Sequence, residues 1–146
     1  MRLTLYTDYA LRVLMFLALK DEKLSTIQDI AATYDISSNH LMKLVTELGH
    51  AGLIETVRGR NGGLRLAMAP EDINIGALVR RTEDDGQHVE CFDAATNQCR
   101  ITASCKLRHK LREALDAYYA VLDEVTLADL VVRPQPLRRL LAIGAD

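Results

Sequence analysis

No run of apolar residues in this chain approaches the roughly 20 that a membrane-spanning helix needs. The nearest, LRVLMFLALK, follows Asp8 and contains Arg12, and no small-residue cleavage site comes after it before Asp21 and Glu22. It therefore does not read as a secretion signal, and the sequence predicts a cytoplasmic protein with no membrane contact. An excess of positive charge is missing too: 18 Lys and Arg stand against 20 Asp and Glu, a formal net charge of −2. Any nucleic-acid binding must then come from a local patch. Catalytic signatures are also absent. No glycine-rich phosphate loop follows a strand, and neither HExxH nor GxSxG occurs, so the sequence does not predict an enzyme. Cysteine is absent outside residues 91–105, where there are three. The odd number and a reducing compartment argue against structural disulfides. Internal repeats and low-complexity segments are lacking. A chain of 146 residues suits one domain with an appendage, long enough to bury about two-thirds of its unfolded surface.

What is present begins with an apolar segment. Leu11, Leu14, Met15, Phe16 and Leu17 predict a helix from Asp8 to Lys20, capped by Thr7 and buried on more than one side. Ser25 and Thr26 cap a second helix, in which Ile27, Ile30, Ala31 and Tyr34 fall at i, i+3, i+4 and i+7. After the turn YDIS, Ser37 or Ser38 caps a third. There Leu41, Leu44, Val45 and Leu48 repeat the spacing, Asn39, His40, Lys43 and Glu47 take the other face, and Gly49 and Gly52 bracket the end. Two short helices joined by a tight turn form a helix-turn-helix whose second member turns a hydrogen-bonding face outward. Alone, the pattern equally suits two packed helices with a solvated face.

The next residues favour DNA. Leu53 to Val57 and Leu64 to Leu66 read as strands around RGRNGG, a β-hairpin wing with Arg58, Arg60, Asn61 and Arg65 at or near its tip. From Ser37 to Arg65 there are four Lys or Arg against two acids. Arginines on such a tip suit phosphates and a narrow minor groove. The predicted DNA contacts are Ser38, Asn39, His40, Lys43, Arg58, Arg60 and Asn61.

Pro70 ends the wing and residues 71–81 predict a helix. Residues 83–93, with five acids and no Lys or Arg, predict an exposed loop. A long helix follows from Ser104 to Val125, where Leu111, Leu115, Tyr118, Leu122 and Val125 step by 4, 3, 4 and 3. Such a seam packs either on its own domain or on a second copy. Because the chain is short and already has a core, the seam predicts a homodimer, and two-fold symmetry suits a palindromic operator in double-stranded DNA. Thr126 breaks this helix, Pro134 and Pro136 interrupt the tail, and a last helical turn follows from Leu137. The expected fold is mainly α: a winged helix-turn-helix domain (1–81), a cysteine loop (82–105), and a dimerisation helix with its tail (106–146).

Cys91, Cys99 and Cys105 lie in CFDAATNQCRITASC, a C-x7-C-x5-C spacing. Thiolates are soft ligands for iron–sulfur clusters, zinc and copper(I). The close cysteine pair typical of zinc sites is missing, and wider spacing suits a larger cluster. Three thiolates leave one coordination position, for which His88, Glu90, Asp93 and His109 are nearby. A zinc site using His88 or His109, and three free thiols, remain as alternatives.

The segments MRLTLYTDYALRVL and SSNHLMKLVTELGHAGLIETVRGRNGGLRL, together with the three-cysteine loop, resemble the winged-helix iron–sulfur regulators, the family that includes IscR and RirA. The resemblance covers nearly the whole chain, and VRGRNGG and the cysteine loop are specific in combination. SSNHLMK, CRITASCKL, and TLADLV followed by QPLRRLL look most like its nitric-oxide-responsive branch. The resemblance implies a DNA-binding repressor with a 4Fe–4S cluster on Cys91, Cys99 and Cys105, whose nitrosylation abolishes operator binding. The cysteine spacing is shared with the iron-responsive RirA branch, which gives the second reading. A 2Fe–2S cluster is less favoured. The branch that holds one uses a histidine three residues after the last cysteine, where this chain has Arg108, with His109 about 100° further around the helix. The resemblance also implies a fourth ligand from the other subunit, at the position of Asp8. By itself Asp8 reads as an acid in the first turn of a helix, favoured by the macrodipole.

Overall fold

Helix α1 (Leu5–Ala18) begins earlier than expected because Thr4, not Thr7, is its cap. Thr4 is extended, and its hydroxyl accepts the Thr7 amide at 3.2 Å. Thr7 lies inside the helix and is fully buried. This computed structural model describes residues 3–21, 23–83 and 89–144. Ala10, Val13, Leu14, Phe16 and Leu17 put α1 at the centre of the core, as its all-round apolar surface required. Each such large side chain withdrawn from water contributes about 1.5–3 kcal/mol.

Helix α2 (Ile27–Tyr34) carries a full capping box: Thr26 accepts the Asp29 amide and Asp29 accepts the Thr26 amide. Ile30 is buried, and Ile27, Ala31 and Tyr34 pack beside it. Asp35, left-handed at φ 53°, ends the helix. Helix α3 (Ser38–His50) follows, with Ser37 at the cap position but making no side-chain cap bond. Its four predicted apolar positions are all buried.

Strands β1 (Ile54–Val57) and β2 (Gly63–Leu66) pair antiparallel, Ile54 opposite Leu66 and Val57 opposite Gly63. Ser25 joins them from outside. It donates to the Leu64 carbonyl at 3.1 Å and accepts the Leu64 amide at 2.7 Å. A Cβ on Gly63 would stand 2.9 Å from the Ser25 carbonyl oxygen, so glycine permits this approach.

The helix expected over 71–81 is shorter. Pro70–Asp72 form one 3-10 turn, Ile73 is extended, and Asn74 caps helix α4 (Ile75–Thr82). The interruption has a tertiary cause: the Ile75 amide donates to Val125 and the Ile73 carbonyl accepts from Leu127, each at 2.9 Å. Residues 84–88, part of the expected acidic loop and including His88, lie outside the described residues. Glu90–Phe92 and Thr102–Ser104 form short 3-10 turns.

Helix α5 (Lys106–Asp123) starts at a cap made by Cys105. Its expected seam is divided. Leu115 is buried, while Tyr118, Leu122 and Val125 pack on the chain's own core. The apolar residues left uncovered are one position round. Leu107, Leu111, Ala114 and Val121 are exposed and Tyr118 is half-buried, again stepping by 4, 3, 4 and 3. Helix α6 (Leu127–Leu130) has its own Thr126–Asp129 capping box and sends Leu127 into the common core. The prolines of the tail begin a helix instead of interrupting it. Pro134 is the first residue of α7 (Pro134–Leu140), where its missing amide costs nothing. Among the described residues no helix is long and apolar enough to cross a membrane.

Candidate nucleic-acid interface and cysteine loop

The outer face of α3 is polar at its start. Asn39, His40 and Lys43 are exposed and Ser38 is half-buried. The structure divides these residues between two edges. Asn39, His40 and Lys43 lean toward α1, where with Leu5, Tyr6, Tyr9 and Leu44 they line a shallow apolar cleft of about 270 Å³. Ser38 and Met42 face α2 and the wing, beside Thr56 and Gly63. The sequence-based expectation left out Met42, half-exposed on the outer face of α3. The signal was available, since Met42 is an apolar residue at a position where the helical stripe requires polar ones.

The wing presents Arg58, Arg60 and Asn61 on a five-residue turn, all exposed. Glycine is required there: Gly59 has φ 116°, and a Cβ on Gly62 would meet the Val57 carbonyl oxygen at 2.2 Å. Arg65 differs from the other two. It lies directly across the ladder from Glu55 and pairs with it at 2.8 Å. Among the described residues the guanidinium groups of Arg58 and Arg60 have no acidic partner, so the wing's uncompensated positive charge sits at its tip.

The three cysteines are free and half-buried. Cys105 caps α5, its sulfur accepting the Arg108 amide at 3.4 Å. Arg108 Nε donates to the Cys91 carbonyl at 3.0 Å, and the Arg112 guanidinium lies 4.0 Å over the Phe92 ring. The first turns of α5 therefore fasten both ends of the loop. Between them, the Cys99 amide donates to Asn97 and the Cys99 carbonyl accepts from Thr102 at 2.8 Å. Of the nearby acids, Glu90 accepts the Gln98 amide. Asp93 accepts from the Thr96 hydroxyl and the Ala95 amide, and these bonds hold its carboxyl below the usual range. His109 is exposed on α5. Asp8 sits in the first turn of α1, paired with Arg12 at 2.7 Å, and the Arg12 guanidinium lies 5.8 Å from the centre of the Tyr34 ring. Among the described residues no three His, Cys, Asp or Glu side chains converge on a point that one metal ion could occupy.

Two contacts gave no sequence signal, because their partners are distant in the chain. Glu83 accepts hydrogen bonds from Thr4 and Thr7. The Tyr6 hydroxyl donates to Glu47 on α3. Burial first, then the hydrogen bond to the Glu47 carboxylate and its charge, push the Tyr6 phenol well above its usual value, against a smaller opposing pull from Arg81.

The chain is similar to known regulators along most of its length. The HTH-type transcriptional regulator NsrR of Bacillus subtilis is 58% identical over 142 residues, covering 97% of both chains. The oxidized form of Staphylococcus aureus CymR superposes with a TM-score of 0.70 at 30% identity, over 89% of this chain and 95% of that one. T. potens IscR superposes with a TM-score of 0.66 at 27% identity, over 90% and 86%. The Rrf2 description, iron-dependent transcriptional regulator, matches residues 3–133. With a helix-turn-helix, a basic wing and this breadth of likeness, the chain belongs to the Rrf2 family of transcriptional regulators and is not an enzyme.

Proposed function

We propose that the chain is a homodimeric repressor that binds an operator in double-stranded DNA and releases it in response to nitric oxide. The sensor is a 4Fe–4S cluster held by Cys91, Cys99 and Cys105, with Asp8 of the partner subunit as fourth ligand. The observation that carries this reading is the loop: three free thiols on one short segment, fastened by Arg108 to the start of the longest helix. The donor set fits the group. Its sulfurs are soft ligands, Arg108 and Arg112 stand beside it to offset a cluster's negative charge, and thiolates that bind separate irons need not converge on one point. Bound there, the cluster supplies irons that react with nitric oxide.

The chain's own residues do the rest. Asn39, His40, Lys43 and Ser38 offer donors and acceptors to base edges from α3, and Arg58, Arg60 and Asn61 hold the wing on the phosphates. The uncovered residues Leu107, Leu111, Ala114 and Val121, beside half-buried Tyr118, offer the dimer seam. Two reading heads on one seam match half-sites about one helical turn apart. Silencing such a binder a thousandfold requires about 4 kcal/mol of difference between its two states.

Anaerobic purification tests the reading. The expected protein is brown, contains iron and sulfide, and loses operator affinity on exposure to nitric oxide. Each of Cys91→Ala, Cys99→Ala and Cys105→Ala should lose iron. A colourless zinc protein, or one whose DNA binding ignores nitric oxide, overturns it. Release by an iron chelator but not by nitric oxide establishes the iron-responsive reading instead.

A further inference from the structure

The first turn of α1 is gripped from two sides. On one side stands Glu83, which closes α4 and opens the segment leading to Cys91. Its carboxylate accepts the Thr4 amide at 2.9 Å, the Thr4 hydroxyl at 3.0 Å and the buried Thr7 hydroxyl, which also lies 2.9 Å from the Thr82 hydroxyl. A carboxylate suits this place, because helix N-termini leave amides without partners and carry partial positive charge. On the other side, Tyr6 donates to Glu47. His40, Lys43 and Glu47 fall at i, i+3 and i+7 on α3, the edge that faces α1. Bare on a DNA-reading helix, Glu47 would repel phosphate. Bonded to the phenol, it ties that helix to α1.

We propose that Glu83 and Tyr6 are positioning residues that make the first turn of α1 a coupler, passing displacement at the head of the cysteine loop to the DNA-reading helix. The proposal rests on the regulatory reading above for the meaning of the signal, while the two contacts supply the physical path. A chain of contacts between two sites is not by itself a coupling. The coupler needs two arrangements: the structure holds the one with Glu83 engaged, and the proposal adds one with Glu83 withdrawn. With Glu83 engaged, Thr4, Thr7 and α4 are locked together. With Glu83 withdrawn, the Thr4 amide turns to water, the Thr7 hydroxyl keeps only the Thr82 and Thr4 hydroxyls, and the turn that carries Tyr6 loses its carboxylate anchor.

Hydrogen exchange on the full chain reads this without any cluster. Glu83→Ala should speed exchange at the amides of residues 4–8 and also at residues 38–47, and should weaken binding about tenfold to a duplex selected by the unmodified protein from a random pool, the size of one charge-assisted bond. Tyr6→Phe should loosen residues 38–47 but not 4–8. In the double variant the DNA effect should be no larger than in either single variant, since both cut one path. Glu83→Gln, which keeps an acceptor oxygen, should restore most of the protection and serves where Glu83→Ala folds poorly. Loosening confined to residues 4–8, or DNA effects that multiply in the double variant, overturns the proposal. Failure of nitric oxide to release the unmodified protein sinks the sensing reading alone and leaves these exchange results standing.

Discussion

Replacing Asp8 by alanine removes two structural contributions and, on the reading above, one ligand. The first contribution is the pair with Arg12 at 2.7 Å, between side chains 39% and 43% exposed. Exposed i,i+4 pairs are screened and contribute about 0.3–0.5 kcal/mol. The second is the interaction of an acid with the helix N-terminus, about 0.3–1 kcal/mol at the surface. Alanine's better helix propensity returns about 0.7 kcal/mol. The net structural loss is therefore no more than about 1 kcal/mol, which in a chain of this size lowers Tm by about 2–4 °C. That loss belongs to the protein with or without metal and leaves an anaerobic absorbance spectrum untouched. A lost ligand does the reverse: the spectrum shifts, reaction with oxygen or thiols quickens, and operator binding weakens beyond what the melt explains. The assay is a thermal melt of iron-free protein beside the anaerobic spectrum of loaded protein, both for Asp8→Ala. A lowered Tm with an unchanged spectrum and nitric-oxide response would refute the ligand assignment. His88, His109, Glu90 and Asp93 would then be the next to test, although the last two already hold loop amides.

Arg58→Ala and Arg60→Ala should each flatten the salt dependence of DNA binding by about one unit of log–log slope. Arg65→Ala, already neutralised by Glu55, should change it least, and equal effects at all three would contradict the assignment of free charge to the tip. Val121→Glu or Leu107→Glu should yield monomers in sedimentation at micromolar concentration, since both side chains are about two-thirds exposed on α5. An intact dimer in both variants would move the seam elsewhere. Gly76→Ala should destabilise by about 1–3 kcal/mol in urea, because its Cβ would fall 2.0 Å from the Asp123 carboxylate and 2.9 Å from the Asp123 amide nitrogen. Asp123→Ala in that background should recover only the side-chain part, and a Gly76→Ala protein of full stability would contradict the close approach. Arg80 holds the Asp123 carboxyl below its usual range, and the Thr126 amide does the same for Asp129. The unfolded chain then binds more protons, so this contribution is complete above about pH 5 and drains as the pH falls through the carboxylate range. Urea midpoints that match at pH 7 and pH 3 would count against it.

Where local rules act alone, the sequence was a good guide. The helix-turn-helix emerged from 3.6-residue spacing with Thr26 at its cap, and the wing from glycines that only a tight turn requires. Errors arose where a distant partner decides. Thr4 and Thr7 are both competent caps, and Glu83 and Thr82, far along the chain, give Thr7 its buried place. Residues 71–74 have helical composition, but Ile73 and Ile75 bond to residues 125–127. On α5 two adjacent apolar stripes overlap, and periodicity cannot tell which one the chain's own core will cover. In the candidate site, the positions of the arginines were legible, but the pairing of Arg65 was not, because it depends on strand register. The Asp8 assignment came from resemblance alone, since an acid in a first helical turn has an ordinary explanation.

The bridge from Ser25 to Leu64 has a consequence for the operator. It staples the wing to the segment that opens α2, so wing and helix-turn-helix move as one block. On the proposed reading, each protomer would then meet DNA with a fixed footprint, and the groove would conform to the protein. In the proposed dimer, freedom is left only between the two blocks. One extra base pair between half-sites turns the second by about 34°, given 10–10.5 base pairs per turn, and nothing within either block can absorb it. Spacer length should therefore be policed more strictly than any single base.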